Sequence, residues 1–207
     1  MKIVHILATA DRTGAEIAVL NLNRALREQG ADASVIFFRD GAVLEDYRAA
    51  GIPCVLFPVG GKTDVGAVFR LSRALSAADV VHTHGARAMF IGNLAAKWAR
   101  RPVLTTFHEL STAKIGSSRL LQLYGTIETV MARFFTDHCI ANSDATRNDV
   151  ILTRHVPADK ITRIYNTVDL SRFHLLQERA TPRVLAGSAH CAASRALRRA
   201  RRPRGRR

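Results

Sequence analysis

The sequence is poor in cysteine, and its three cysteines lie far apart. Cys54 and Cys139 stand in apolar, strand-like segments, and Cys191 lies near the C-terminus. Isolated thiols in apolar surroundings are typical of buried structural residues in a reducing compartment. We therefore expect a cytoplasmic protein with neither a disulfide nor a catalytic thiol.

Long hydrophobic runs are also missing. A membrane-spanning helix needs about 18 or more consecutive apolar residues, and no such stretch occurs. The opening segment MKIVHILATA is soon followed by Asp11, Arg12 and Glu16, so we expect it to be a first strand rather than a signal peptide. A chain of 207 residues is long enough for one substantial domain, or for one domain and a fragment.

Acidic residues are almost absent from the C-terminal segment. Residues 178–207 hold ten arginines and one acid, although the whole chain has 31 Lys and Arg, 17 Asp and Glu, and a net charge of +14. Ten arginines could contact nucleic-acid phosphates in a salt-dependent way, but the segment has no aromatic residue for base stacking. We expect no specific nucleic-acid binding. Deletion of 178–207 would test this, since any affinity carried by the tail should vanish while the fold persists.

The rest of the chain alternates strand and helix patterns. The predicted strands are near-continuous apolar runs, which is typical of a parallel sheet covered on both faces. This order predicts an α/β fold: a doubly wound, Rossmann-like, mainly parallel sheet. The predicted strands are 2–8, 33–38, 54–59, 79–85, 102–108, 138–143 and 160–166, and the predicted helices are 15–30, 42–51, 64–78, 86–101, 117–135 and 145–155.

The first strand–helix turn lacks the three glycines of the dinucleotide-binding fingerprint. Only Gly14 is present in TADRTGAEIAV, and no P-loop occurs in the chain. This excludes a nicotinamide-type dehydrogenase signature. Gly14 still opens a helix directly after a strand, and the free N–H groups of such a helix end suit a phosphate. A simple strand–helix turn would look the same.

Polar residues and glycine follow several of the predicted strands. The segment VLTTFHELSTAKIG ends a strand in His108 and Glu109, and Asn142 and Ser143 follow the next strand. Because the carboxyl ends of parallel strands meet at one edge of the sheet, we expect these side chains to share a site with Gly14.

VVHTHG places two histidines two residues apart on a predicted strand. His82 and His84 therefore point to the same face. They could bind a metal, but no Asp, Glu or Cys completes a clear ligand set. We favour one core histidine and one polar residue at the sheet edge.

The ordered segments resemble a known family. TGAEIAVLNLNRALREQGADASVIFF, VVHTHG, TTFHE, IANSDATRNDVI and VPADKITRIYNTVDLSRF resemble the N-terminal domain of the family 4 retaining glycosyltransferases over roughly residues 1–174. That family has the GT-B architecture of two facing Rossmann-like domains. Thr13 and Thr167 stand where the family usually has glycine, and the first change can alter how the loop fits a ligand.

The resemblance implies an activity and partners. The family transfers a sugar, here predicted as a hexosyl group, from a nucleotide-sugar donor to an acceptor hydroxyl with retention of anomeric configuration. It implies a sugar or lipid-linked acceptor, no metal or other cofactor, and a possible peripheral contact with the inner membrane face. Arginines on two predicted helices would serve that contact, although solvated helix faces explain them more simply; they are Arg70, Arg73, Arg119 and Arg133.

The resemblance also implies residue roles. His108 would be the catalytic-site histidine beside the transferred sugar. Asn166 and Asp169 would lie near the interdomain hinge. Substrate binding would fall to the residues that end the strands or open the helices, namely Gly14, His84, Glu109, Asn142 and Ser143.

The family's second domain holds the nucleotide and a pair of glutamates, and the resemblance fades near residue 174. We therefore predict an acceptor-side domain over 1–174, followed by an Arg- and Ala-rich segment over 175–207 that is disordered or non-native, as in a truncated or frameshifted product. Such a chain should have little or no activity alone, because transfer needs donor and acceptor together. The alternative is a non-catalytic Rossmann-like module that binds a small anionic ligand.

Overall fold

The computed structural model describes residues 1–60, 64–110 and 119–166. The predicted boundary at 174, the segment 175–207 and Asp169 lie outside these residues. Strands and helices alternate as the sequence predicts. They are β1 Lys2–Leu7, α1 Gly14–Glu28, β2 Asp32–Phe37, α2 Leu44–Ala49, β3 Cys54–Leu56, α3 Val65–Leu75, β4 Val80–His84, α4 Ala86–Trp98, β5 Val103–Phe107, α5 Arg119–Phe134, β6 His138–Ala141, α6 Asp144–Arg154 and β7 Ile161–Arg163, with a 3₁₀ turn at Ala158–Lys160.

The seven described strands form one sheet in the order β3-β2-β1-β4-β5-β6-β7. Every neighbouring pair is parallel. The strand order reverses at β1, so the chain winds outward in both directions from β1 and β4. This confirms the predicted doubly wound, Rossmann-like α/β fold, and it places the β1–β4 crevice where ligands bind in open sheets of this kind.

The two edge strands are shorter than predicted. β3 ends at Leu56 and β7 ends at Arg163, whereas the predicted strands continue to residues 59 and 166. Pro58 cannot donate a ladder hydrogen bond, which explains why β3 stops before it. An edge strand also pairs on one side only, so apolar sequence alone does not fix its length.

Helices cover both faces of the sheet, and alternate side chains of a strand pack against the helices of opposite faces. Val4 and Ile6 of β1 pack into a cluster with Leu71 and Leu75 of α3. Leu7 packs with residues of α1 and α2 in a second cluster. Since successive side chains of a strand point to opposite faces, this separation shows that α1 lies on one face of β1 and α3 on the other.

A buried polar network joins α4 to the sheet. Thr83 Oγ1 donates to Asn93 Oδ1 at 2.8 Å, and Asn93 Nδ2 donates to Thr105 Oγ1 at 3.2 Å and to Thr136 Oγ1 at 2.8 Å. Beside it, a Cβ on Gly92 would lie 2.8 Å from Thr83 Cγ2. Helix α4 therefore sits closer to β4 than a larger residue at position 92 would allow.

Across the described parts of the chain, no helix has the length and the hydropathy that a membrane crossing requires.

Candidate functional site

A cavity of about 220 Å³ opens where β1, β4 and β5 end. The predicted residues His84, His108 and Glu109 all line it. The remaining lining residues come from the β1–α1 turn, the start of α4, the end of β5 and helices α5 and α6; they are Leu7, Ala8, Thr13, Ala15, Glu16, Gly85, Ala86, Met89, Thr105, Thr106, Phe107, Glu128 and Arg154. The rim of the sheet is therefore a shared, partly enclosed site.

His108 is held at this rim by its backbone and by its ring. β5 ends one residue earlier, and Asn142 Nδ2 donates to the His108 carbonyl oxygen at 3.1 Å. The ring Nε2 lies 3.1 Å from Nδ1 of His84. Burial lowers the pKa of His108 from its ordinary value, although the nearby Glu109 charge acts in the opposite direction. The ring is thus poised as a neutral imidazole, which offers one donor and one acceptor.

Three more histidines lie under His108. His5, His82 and His84 are buried, and their side chains lie on the same face of the sheet. His5 is opposite His82 in the β1–β4 register, and His84 stands two residues after His82 on the same strand. His5 Nδ1 lies 3.1 Å from His84 Nε2. His82 Nε2 lies 2.7 Å from Thr106 Oγ1.

Burial keeps these rings uncharged. It lowers the pKa of His5 to about 4 and drives the pKa of His82 and of His84 well below the usual value. One ligand nitrogen from each of the three lies within 4.8 Å of the others, so they are the described residues that could hold a transition metal. No third ligand for His82 and His84 is evident from the sequence, and β1 supplies His5. Of these three residues, His5 and His84 are nevertheless already hydrogen-bonded to each other, and His82 Nε2 is engaged by Thr106.

Carboxylates dominate the charged part of the cavity. Among the described lining residues there are three glutamates and one arginine: Glu16, Glu109, Glu128 and Arg154. Arg154 forms a buried ion pair with Glu128. Its Nη1 also donates to the Gly125 carbonyl at 3.3 Å, and its guanidinium lies 5.5 Å from the centre of the Phe107 ring. The single positive charge is therefore tied into the cavity wall.

The β1–α1 turn carries a glutamate close to the predicted glycine, and phosphate binding by this turn stays a prediction. Gly14 is the first residue of α1 and lies between the lining residues Thr13 and Ala15. Glu16 stands in the first turn of the same helix, accepts a hydrogen bond from Thr13 Oγ1 and is almost fully buried. A carboxylate at the positive end of a helix competes with a phosphate for the same N–H groups. The glycine is present, but its surroundings disfavour an anion.

The other predicted residues have different positions. Ser143 caps α6, since its Oγ accepts from the Thr146 N–H at 3.0 Å. The side-chain amide of Asn142 donates to the main-chain carbonyl oxygen of His108, as described above. Asn166 lines a second cavity of about 320 Å³ on the face of the sheet beside α1, together with His5 and His82. His84 and His108 line both cavities, so the histidines form the wall between them.

Five site residues were not found from the sequence, and three of them carry no local signal. His5 was counted as part of a strand, and only the β1–β4 register brings it to His84. Glu128 and Arg154 belong to two helices whose packing no local pattern reveals. Thr13 and Glu16, in contrast, do carry a local signal, because Thr-x-x-Glu at a helix start is the capping-box spacing.

The same fold occurs in several solved structures of other proteins. Anabaena HepE, in complex with UDP and glucose, matches with a TM-score of 0.72 and 24% identity over 83% of this chain and 46% of its own. A glycosyltransferase from Rickettsia africae matches with a TM-score of 0.64 and 18% identity over 92% of this chain and 49% of its own. A UDP-GlcNAc 2-epimerase from Methanocaldococcus jannaschii matches with a TM-score of 0.57 and 17% identity over 80% of this chain and 47% of its own.

The chain thus spans about half the length of the solved structures that it matches. A comparison with curated proteins finds no similar sequence. Because both transferases and an epimerase share the fold, the fold alone does not decide the activity. The sequence model of one family decides the membership, since it matches residues 12–172, well over half of the chain. With this match added to the rim cavity and the doubly wound sheet, the chain belongs to Glycosyltransferase Family 4.

Proposed function

We propose that this chain forms the acceptor-side half of a retaining, nucleotide-sugar-dependent glycosyltransferase. The whole enzyme transfers a hexosyl group to an acceptor hydroxyl, without a metal. The family match supports the transferase class. The solved structure of HepE with UDP and glucose supports a nucleotide-sugar donor, and the acceptor is a sugar or a lipid-linked sugar.

The charge of the rim cavity carries the proposal. Three carboxylates and the two rim imidazoles His84 and His108 surround it, and the one described arginine is bound to Glu128. Ionised carboxylates accept hydrogen bonds only, and a neutral imidazole accepts one and donates one. A ligand rich in hydroxyl groups satisfies such a wall, whereas Glu16 and Glu109, the two carboxylates outside the Glu128–Arg154 ion pair, disfavour an anion.

The residues then have distinct roles. His108 contacts a hydroxyl of the transferred sugar and stabilises the charge that develops during transfer. Glu109 accepts from an acceptor hydroxyl beside it. His84 supports His108 from below, Asn142 fixes the main chain of His108, and Gly14 lets the β1–α1 turn approach the sugar.

The alternative function is a non-catalytic module that binds a small anion. The free N–H groups at the start of α1 favour it, and the carboxylate of Glu16 in the same turn opposes it. Phosphate is therefore the probe that separates the two functions.

Ligand binding to the chain tests the proposal. Saturation-transfer NMR with methyl α-glucoside, UDP-glucose and inorganic phosphate is applied to the wild-type chain, to His108→Ala and to His138→Ala. His138 is a matched control because it lies at the amino end of β6, opposite the rim, and contacts Thr162. We expect saturable glucoside binding that weakens about tenfold in His108→Ala, as for the loss of one buried hydrogen bond, and stays unchanged in His138→Ala. Phosphate binding without glucoside binding would support the anion module instead.

Transfer itself is measured as release of UDP from UDP-glucose in the presence of the glucoside. An α-configured product from the α-linked donor supports retention, and a β-configured product contradicts it.

The proposal includes peripheral contact with an anionic membrane surface. Arg73 and the exposed aromatic pair Phe69 and Trp98 lie on α3 and α4, while Arg70 is already engaged by Asp64 at 3.2 Å. Cosedimentation with phosphatidylglycerol vesicles should fall in Trp98→Ala and in Arg73→Glu. Equal sedimentation of wild type and both variants would exclude this contact.

A further inference from the structure

Three of the histidines are joined end to end. His5 Nδ1 lies 3.1 Å from His84 Nε2, and His84 Nδ1 lies 3.1 Å from His108 Nε2. The two outer nitrogens, His5 Nε2 and His108 Nδ1, are buried and have no hydrogen-bond partner within the described part of the protein. The row therefore has two internal hydrogen bonds and one open nitrogen at each end.

A row of neutral imidazoles permits only two complete proton arrangements. Each ring has one N–H and one lone pair, so each internal contact needs a donor on one side and an acceptor on the other. In the first arrangement all three rings carry hydrogen on Nδ1, and in the second all three carry it on Nε2. Any mixture places two donors or two acceptors face to face, which leaves a buried polar group unsatisfied.

The two arrangements present opposite groups at the outer nitrogen of His108, a residue that lines the rim cavity. In the first, His108 Nδ1 is a donor and His5 Nε2 is a lone pair. In the second, His108 Nδ1 is a lone pair and His5 Nε2 is a donor. Passage from the first to the second moves one proton from His5 to His84 and one from His84 to His108. At the same time one proton leaves His108 Nδ1 and one enters at His5 Nε2, exchanged with water or with a bound hydroxyl, so the net charge is unchanged.

We propose that His5, His84 and His108 form a hydrogen-bonded imidazole chain that determines whether His108 donates to or accepts from the ligand at the rim, with His5 and His84 as positioning residues. The inference deepens the proposed function, on which it rests only in that His108 contacts the sugar. It assigns a role to His5, which does not line the rim cavity and therefore does not contact a ligand bound only there.

His82 is outside the chain although it packs against it. Its ring centre lies 5.0 Å from that of His5 and 4.1 Å from that of His84, but its Nε2 is engaged by Thr106. His82 is therefore the matched buried control: it shares the burial and the neighbours of the chain, but not its hydrogen bonds.

Nitrogen NMR on the full chain with ¹⁵N-labelled histidine tests the proposal. Scalar couplings across N–H···N hydrogen bonds identify bonded ring pairs directly, and ring ¹⁵N shifts report which nitrogen carries hydrogen. In the wild-type protein we expect two such couplings, both shared by His84. Absence of either coupling overturns the chain, and this measurement needs no variant that could fail to fold.

Variants test the positioning role. His5→Phe should shift the ring ¹⁵N resonances of His108, which it does not contact, and should remove the coupling to His84. His5→Asn, whose amide lies where Nδ1 was, should restore the His108 shifts toward the wild-type values, and His82→Gln should leave both couplings in place. Unchanged His108 shifts in His5→Phe refute the positioning role.

The outcomes separate from those of the ligand experiment. Couplings without glucoside binding support the chain and contradict the proposed function. Glucoside binding without couplings does the reverse.

Discussion

The buried ion pair between Glu128 and Arg154 gives the most demanding test of the site's architecture. Both side chains are only 6% exposed, so neither charge has appreciable access to water. Removing one partner leaves the other charge buried without compensation, which costs about 3–5 kcal/mol. We therefore expect Arg154→Met to lower the free energy of unfolding by that amount.

This loss is large beside the stability of a typical domain, about 5–15 kcal/mol. For a domain of this size it corresponds to a fall in melting temperature of about 6–20 °C. Glu128→Leu should behave in the same way. The double variant leaves no buried charge and should recover most of the loss, since a well-packed apolar pair of similar volume is often neutral or better.

Urea unfolding followed by far-UV circular dichroism measures all four proteins, and the double-mutant cycle gives the coupling between the two sites. A single variant that costs less than about 1 kcal/mol, the range of an exposed pair, would show that the ion pair is solvated. Additive losses in the double variant would refute the coupling.

Three further predictions concern packing, protonation and thiol reactivity. Gly92→Ala should lower the free energy of unfolding by about 1–3 kcal/mol through overpacking, whereas Gly125→Ala, whose Cβ meets nothing within 4 Å, should not destabilise. The pKa of His5 is lowered from 6.5 to about 4, so between these pH values the unfolded chain binds more protons at this residue than the folded chain does. The free energy of unfolding should therefore fall as the pH is lowered, by about 1.4 kcal/mol per pH unit from this group. His5→Leu removes this contribution, so the stability measured in urea should depend less on pH between pH 7 and 5. Burial raises the pKa of the Cys139 thiol to about 11, so peptide-resolved alkylation should modify it far more slowly than Cys54.

The fold follows from local sequence because the central strands β1, β2, β4 and β5 are almost entirely buried and most of the helices are amphipathic. Segment 33–38 is almost entirely apolar, with no alternation of polar residues, and this pattern is typical of a strand that is covered on both faces. The ends of the two edge strands could not be predicted in this way. Residues beyond Leu56 stay apolar although β3 ends there, and the Phe57 N–H still donates to the Phe37 carbonyl oxygen, so composition does not mark where pairing stops.

The site was predicted as far as strand ends can show it. His84, His108 and Glu109 follow directly from the rule that parallel strands end at one rim. His5 could not be found in this way, because its nearness to His84 depends on which strand lies beside β1. Arg154 and Glu128 depend on the packing of two helices, and an ion pair between distant residues leaves no spacing in the sequence.

The buried amide of Asn93 disfavours incorrect registers between the strands. An interior made of Val, Ile and Ala is compatible with many registers between neighbouring strands, because apolar contacts have no direction. The three threonine hydroxyls around Asn93 come from β4, β5 and the turn before β6, and they meet it in only one alignment. A shift of one residue in strand register turns the threonine side chains to the opposite face of the sheet. The buried amide of Asn93 then has no hydrogen-bond partners. Asn93 therefore acts mainly by penalising wrong strand alignments, which gives the parallel sheet its uniqueness.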